Sequence, residues 1–135
     1  MDLSAFEQVI GYEFNDKELL ERALTHSSYA NENKLPHDNE RLEFLGDSVL
    51  GFVTAEYLFE EFKNRPEGAL TKLRAAVVCE KSLFKFAEKI RLGEFILMGR
   101  GEEHTGGRNR PSVISDAFSI FLTLSMQSRK PTTAT

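Results

Sequence analysis

The sequence contains few of the residues that build disulfides or zinc sites. Cys79 is its one cysteine, so an internal disulfide cannot form. With only three histidines besides, a zinc site of two cysteines and two histidines is excluded. Tryptophan is absent, and the eleven phenylalanines must therefore carry most of the aromatic packing. We expect Cys79 to be a small, buried packing residue.

Targeting and membrane signals are also missing. The first residues, MDLSAFE, lack the basic-then-apolar pattern of a signal peptide. No apolar run reaches the roughly 18 residues that a membrane span requires. We therefore expect a cytoplasmic protein with no membrane partner.

Positive charge is in the minority, and the net charge is −4. This balance argues against a nucleic-acid binder that works through a broad basic face. A metal-dependent nuclease is compatible with it, because the carboxylates that bind the metal themselves make such a protein acidic. Composition does not decide between these classes.

The hydrophobic pattern predicts one all-α domain over residues 1–126, with a disordered tail over residues 127–135. Asn15 or Asp16 is expected to cap the second helix, and Asp38 or Asn39 the third. Polar stretches predict loops over residues 29–37 and 99–111. The predicted helices cover residues 3–10, 17–24, 40–62, 69–78, 80–90 and 112–125.

The third predicted helix carries apolar residues nearly all round, which is typical of a central, buried helix. Gly46 and Gly51 interrupt it, and each costs about 1 kcal/mol against alanine. We expect close approach of a neighbouring helix to explain both. Glu40, Glu43 and Asp47 lie at positions i, i+3 and i+7, so they share one helix face. This stripe is either a solvated, capping face or, because like charges repel, a site for a divalent cation.

Five ordered blocks of the chain resemble the ribonuclease III family. The signature block is NERLEFLGDSVL at residues 39–50, and ALTHSSYANE at 23–32 precedes it. The blocks that follow are EGALTKLRAAVV at 67–78, GRGEE at 99–103 and GGRNRPS at 106–112. The resemblance runs to about residue 118. It implies an all-α endonuclease domain that forms a homodimer and cleaves double-stranded RNA in rRNA and mRNA processing. It also implies a Mg²⁺ cofactor, which Mn²⁺ could replace.

The resemblance assigns the metal site position by position. Glu43 and Asp47 match metal ligands of the signature helix, and Asp47 also matches the residue credited with catalysis. Asp116 matches a third ligand on the last helix. Phosphodiester hydrolysis requires an activated water and stabilised phosphoryl oxygens, and metal ions held by carboxylates can provide both.

Further roles follow from the same resemblance. Glu40 and Glu67 match acidic residues that line the valley between subunits, and Phe44 matches an aromatic residue that inserts into the partner subunit. Arg108 and Arg110 either contact RNA phosphates or pair with acidic residues, and the sequence favours neither.

Residues elsewhere receive simpler interpretations. We expect His26 to be a structural hydrogen-bonding residue rather than a base, and residues 102–104 to form an exposed loop.

The chain departs from the family at Ser119. The family places a catalytic, metal-binding glutamate there, three residues after Asp116, whereas this chain reads Asp116-Ala-Phe-Ser119. Serine is a poor Mg²⁺ ligand, so metal binding should weaken and the rate should fall by roughly 10³-fold or more.

The residues after Ser119 differ as well, which predicts that the C-terminal helices are truncated or altered. Back-translation of residues 122–126 in another frame gives a family-like sequence, which suggests a frameshift near codon 119. Two alternatives to an impaired nuclease therefore remain. One is a catalytically inactive relative that dimerises and binds double-stranded RNA, and the other is a frameshifted gene product without activity.

Overall fold

The computed structural model describes residues 3–127 and, within them, eight α-helices connected by short turns. Two 3₁₀ segments, Leu92–Phe95 and Gly107–Asn109, flank the seventh helix. Within the described residues, extended pairing is limited to one isolated parallel bridge between Thr25 and Leu97. The all-α prediction is confirmed. The helices are α1 Leu3–Ile10, α2 Lys17–Ala23, α3 Ser27–Glu32, α4 Glu40–Glu61, α5 Glu67–Val78, α6 Glu80–Lys89, α7 Arg100–His104 and α8 Pro111–Gln127.

The core is organised around α8, which packs between α4 on one side and α6 on the other. Phe121 of α8 is its aromatic centre, with ring centroids 5.6 Å from Phe6 and 5.7 Å from Phe14. Ile120 beside it is almost fully buried. Because α8 supplies so many core side chains, its position is strongly fixed.

One of the two predicted caps is confirmed, whereas Asn39 at the N-cap position of α4 makes no side-chain capping hydrogen bond. Asp16 caps α2, since its side chain accepts a hydrogen bond of 3.0 Å from the Leu19 amide. Before α4, the Asp38 carboxylate accepts from the Glu40 amide at 2.9 Å. Asn39 is buried instead, and its amide donates to the Ala23 carbonyl at 3.1 Å. Asn39 therefore ties α4 to the end of α2.

The predicted loop over residues 29–37 is wrong for its first part, because α3 continues to Glu32. His26 begins this helix by accepting a hydrogen bond from the Ser28 amide. The chain leaves the helix through Lys34, which adopts a left-handed conformation with φ of 53°. A histidine cap is a weak signal in sequence, which explains the missed helix.

The predicted loop over residues 99–111 is also wrong in part, since it contains α7 and a 3₁₀ segment. Close packing fixes these turns: a Cβ added to Gly107 would lie 2.5 Å from the Glu102 side chain. The expected exposed loop over residues 102–104 is accordingly a helical turn, although His104 is exposed as predicted.

The prediction that α4 is buried all round is wrong. Only Gly46, Thr54 and Leu58 of this helix are buried. Phe44, 80% exposed, and Phe52, 69% exposed, stand out from the surface together with Leu45, Tyr57 and Phe59. An apolar pattern around a helix predicts burial but does not say whether the same chain provides it.

The two glycines of α4 have different environments. A Cβ on Gly46 would lie 3.2 Å from the Ser119 carbonyl carbon and oxygen, so α8 crosses α4 at this point as predicted. Gly51 has no atom within 4 Å of its added Cβ, and close helix approach does not explain it.

Other predictions concern single residues and the chain end. Cys79 is exposed rather than buried, since it lies between α5 and α6 at the surface. Of the predicted tail, Gln127 belongs to α8, and residues 128–135 lie outside the described residues. Within residues 3–127, no helix has the length and apolar character required to cross a membrane.

Candidate functional site

A cavity of about 380 Å³ opens between α4, α8 and the turn that precedes α3. Its polar lining distinguishes it from a core defect. α4 contributes Glu40 and Glu43, whereas α8 contributes Asp116. The remaining lining residues are His26, Ser27, Asn39, Glu102, Arg110, Ser112 and Val113.

Glu43 and Asp116 meet at this cavity as a carboxyl pair. Burial raises the pKa of Glu43 from 4.5 to about 7, and the Asp116 carboxylate, hydrogen-bonded to it, adds to the increase. The pKa of Asp116 is also raised overall. Burial is the largest cause; the hydrogen bond with Glu43 opposes the increase, and the charge of Asp47 adds to it. The two groups therefore share a proton near neutral pH when no cation is present.

Additional carboxylates surround the pair. Asp47 is exposed on α4, one turn beyond Glu43, and its charge raises the pKa of both Glu43 and Asp116. Glu40 raises the pKa of Glu43 from the other side. Glu80, the first residue of α6, contributes to the increase at Asp116. The structure thus brings the predicted ligands Glu43, Asp47 and Asp116 into one electrostatic cluster.

The donor set fits a hard divalent cation. Carboxylate oxygens are the ligands that Mg²⁺ prefers, and after burial the neighbouring carboxylates of Asp116, Asp47 and Glu40 are the further causes of the raised pKa of Glu43. Within residues 3–127, however, no three His, Cys, Asp or Glu side chains already converge in a metal-binding geometry. Glu43, Asp47 and Asp116 are the carboxylates that would hold such an ion.

Ser119 lies apart from the cavity surface. It is 1% exposed, and its hydroxyl donates to the Ser115 carbonyl at 3.2 Å. Its backbone contacts the position where Gly46 lacks a side chain. The position that the family resemblance assigns to a fourth carboxylate is therefore occupied by a buried, internally satisfied hydroxyl.

The two arginines pair with acidic residues. Arg108 binds Glu103 through Nε at 2.9 Å and donates to the carbonyls of Gly93 and Ile96 at 2.7 and 2.9 Å. Arg110 forms an ion pair with Glu102 at the cavity wall. Of the two alternatives that the sequence left open, the structure shows the ion pairs. Arg110 is the one placed at the cavity.

His26 has the structural role that the sequence predicted. Its Nδ1 accepts a hydrogen bond from the Ser28 amide, and its backbone amide donates to the Leu97 carbonyl at 2.9 Å. Burial lowers the pKa of the imidazole, and nearby Arg110 lowers it further, so the ring is neutral at pH 7. Its presence in the cavity wall was not predicted.

Two further predicted residues lie outside the cavity. Glu67 is exposed at the start of α5 and is not among the described residues that line it. Phe44 is exposed on α4, next in sequence to Glu43.

Sequence reasoning missed Glu80, Glu102 and His26 as neighbours of the site. The available signal for Glu80 was weak, because a first-turn glutamate is common in any helix. Glu102 could have been linked to Arg110 by charge, but its distance along the chain gave no indication of contact.

Comparisons with known proteins identify the family of the chain. The family model described as ribonuclease-III-like matches residues 16–127. Ribonuclease 3 of Oceanobacillus iheyensis is 52% identical over 124 residues, which cover 90% of this chain and 54% of the relative. Ribonuclease 3 of Bacillus cereus is 54% identical over 119 residues, which cover 87% of this chain and 49% of the relative. The chain therefore spans about half the length of these curated relatives.

Solved structures show the same fold. A structure of the nuclease domain of ribonuclease III from Campylobacter jejuni, described for flexibility in a region involved in dimer formation, superimposes with a TM-score of 0.82 at 50% identity. The alignment covers 90% of this chain and 82% of that one. A second structure of that domain gives a TM-score of 0.80, again at 50% identity, with 90% and 80% covered. The chain belongs to the ribonuclease-III-like family, and its all-α fold is that of a ribonuclease III nuclease domain.

Proposed function

We propose that this chain is a Mg²⁺-dependent endoribonuclease domain that hydrolyses phosphodiester bonds of double-stranded RNA in rRNA and mRNA processing. Mn²⁺ could substitute for Mg²⁺, and the expected location is the cytoplasm. The carrying observation is the carboxyl pair of Glu43 and Asp116 at a polar cavity, with Asp47 and Glu40 beside it. Family membership supports the reaction type.

Within this proposal, the chain's own residues concentrate negative charge at one point. Glu43, Asp47 and Asp116 would hold the cation, which would supply a more acidic bound water and stabilise charge on the phosphoryl oxygens. Cation binding requires the proton that Glu43 and Asp116 share to leave. Asp47 is exposed one turn beyond Glu43 on α4 and matches the residue that the family resemblance credits with catalysis.

Ser119 limits this activity. A serine buried between α8 and α4 supplies no charge to the cation. Loss of one of four carboxylate ligands should cost roughly 10³-fold in rate or more. The same observation favours a second function, in which the domain dimerises and binds double-stranded RNA without cleaving it. The frameshifted, inactive gene product remains the alternative to both.

The exposed apolar face of α4 supports the homodimer. Phe44, Phe52 and Phe59 share one side of α4 and are each more than 60% exposed, which is unusual for large apolar side chains on a monomer surface. Phe44 follows Glu43 directly, so a partner that covers this face would lie beside the carboxylate cluster. A dimer would thus present two clusters to one RNA duplex.

The decisive experiment compares the parent chain with Ser119→Glu on a short RNA duplex in Mg²⁺. We expect cleavage by Ser119→Glu to be roughly 10³-fold faster than by the parent. Asp47→Asn in the Ser119→Glu background is the matched negative control. Circular dichroism of each variant verifies folding, because a glutamate at position 119 must be accommodated beside Gly46.

The outcomes separate the candidates. Equal cleavage by parent and Ser119→Glu would show that position 119 does not limit the reaction. Duplex binding without cleavage by either folded variant would support the inactive, RNA-binding relative. Neither binding nor cleavage by folded protein would support the gene product without activity.

A further inference from the structure

The tautomer of His26 is fixed by hydrogen bonds that connect it to α7. The Ser28 amide donates to Nδ1 at 3.2 Å, so Nδ1 must carry a lone pair. The Ser28 hydroxyl lies 2.7 Å from the same nitrogen and accepts from the Gly99 amide at 2.9 Å, which leaves its own hydrogen for Nδ1. The proton of the neutral ring is therefore on Nε2.

Nε2 is the ring nitrogen that the hydrogen bonds with Ser28 leave unused. Among the described residues, no hydrogen-bond partner is present for it, and it lies on the ring edge away from Ser28. His26 lines the cavity together with Glu43 and Asp116. The N-cap role accounts for Nδ1 as a hydrogen-bond acceptor, but it does not account for the donor at Nε2.

An RNA phosphate that enters this cavity encounters mainly carboxylates, and it requires hydrogen-bond donors. The other side-chain nitrogen donors among the described lining residues are each restrained by a partner. Asn39 donates to the Ala23 carbonyl at 3.1 Å. Arg110 is paired with Glu102 and is 3.4 Å from the Thr105 carbonyl. Within the described residues no partner restrains Nε2 of His26, which can therefore donate without loss of an existing hydrogen bond.

We propose that the Nε2–H group of His26 donates a hydrogen bond to a non-bridging oxygen of an RNA phosphate in this cavity. The proposal rests on the proposed function, since it assigns a substrate contact to the same site. Ser28 is then a positioning residue, because it holds the imidazole in the tautomer that can donate.

Two substitutions of His26 separate this contact from the helix cap. Asparagine has a side-chain oxygen at the distance of Nδ1 and is a good cap, but it has no group at the distance of Nε2. Glutamine reaches the distance of Nε2 with an amide donor but is a poor cap. The probe is a short, blunt RNA duplex in Ca²⁺, which avoids cleavage, and His37→Asn at the exposed His37 is the matched control.

We expect His26→Asn to melt like the parent but bind the duplex about tenfold more weakly, since hydrogen bonds to charged groups carry this order of affinity. We expect His26→Gln to melt at a lower temperature and bind the duplex nearly as well as the parent. Nitrogen NMR of the free parent should show His26 protonated at Nε2.

Three results would overturn the proposal. One is unchanged duplex binding by His26→Asn, and the second is an Nδ1-protonated ring in the free protein. The third is loss of binding by both variants in proportion to lost stability, which would make the role purely structural. A folded parent that binds no duplex would overturn the proposed function and the contact together, whereas the first two results leave the proposed function intact.

Discussion

Replacement of Glu43 by glutamine should stabilise the metal-free protein at high pH. The pKa of Glu43 is raised from 4.5 to about 7, mainly by burial, so the folded state retains this proton over a range in which the unfolded chain has lost it. The folded state therefore becomes less stable as the pH rises from about 4.5 to about 7, and the loss is complete above that window. Glutamine is neutral at every pH and removes this loss.

The magnitude follows from the size of the shift. Each pKa unit corresponds to about 1.36 kcal/mol, so the full shift would correspond to roughly 3.4 kcal/mol. Glu43 is only half-buried, and solvent screening reduces this value to about 1–2 kcal/mol. We expect Glu43→Gln to exceed the parent in free energy of unfolding by that amount at pH 8 and to match it near pH 4.5.

Urea unfolding in EDTA, at a fixed protein concentration and at several pH values, measures this difference. Glu60→Gln is the matched control, because Glu60 is exposed near the end of the same helix. A Glu43→Gln variant that is less stable than the parent at pH 8 would refute the reasoning. A Glu43→Gln variant whose free energy of unfolding changes with pH as steeply as that of the parent would refute it as well.

Three further predictions concern the cation, the helix crossing and the apolar face. Mg²⁺ affinity should rise with pH through about 7, because the proton shared by Glu43 and Asp116 must leave before the cation binds. Calorimetry in buffers of different ionisation enthalpy should detect the released proton. An affinity that does not depend on pH would contradict this prediction. Gly46→Ala should lower the free energy of unfolding by about 1–3 kcal/mol, because the added methyl group overpacks against α8. Gly51→Ala should raise it by up to about 1 kcal/mol, because alanine favours the helix and has space there. Equal effects of the two substitutions in urea unfolding would exclude the crossing of α4 and α8 as the cause. Phe44→Asp should shift the sedimentation coefficient toward that of the monomer. It should leave the fold intact, because this side chain is 80% exposed. An unchanged sedimentation coefficient would show that Phe44 is not part of the interface.

The helices that the sequence predicted well are those with local signals. The start of α2 follows directly from its aspartate cap Asp16, and the start of α4 follows from the polar pair Asp38 and Asn39. α3 was missed because a histidine cap is a weak local signal, and the contact that links this cap to the start of α7 is distant in sequence. The Ser28 hydroxyl that supports His26 binds the Gly99 amide, 71 residues away, and no local pattern indicates such a contact.

The site was predictable only through the family resemblance. The spacing of Glu43 and Asp47 indicates a shared helix face, but nothing local to either residue indicates that Asp116 lies against them. The exposure of α4 was unpredictable for a different reason. An apolar side chain has the same pattern whether its own chain or a second copy covers it, so the pattern alone assigned Phe52 to a buried helix, and only the family resemblance assigned Phe44 to a dimer interface.

The structure also explains why a serine at position 119 is compatible with the fold. α8 serves two purposes: it carries Asp116 at the cavity, and it supplies Ile120 and Phe121 to the core. Ser119, one turn beyond Asp116, has its hydroxyl satisfied by Ser115 and its backbone packed against Gly46. Serine therefore leaves no buried polar group unpaired, and stability does not select against it. Loss of the ligand at this position would reduce catalysis without weakening the packing that makes the family recognisable.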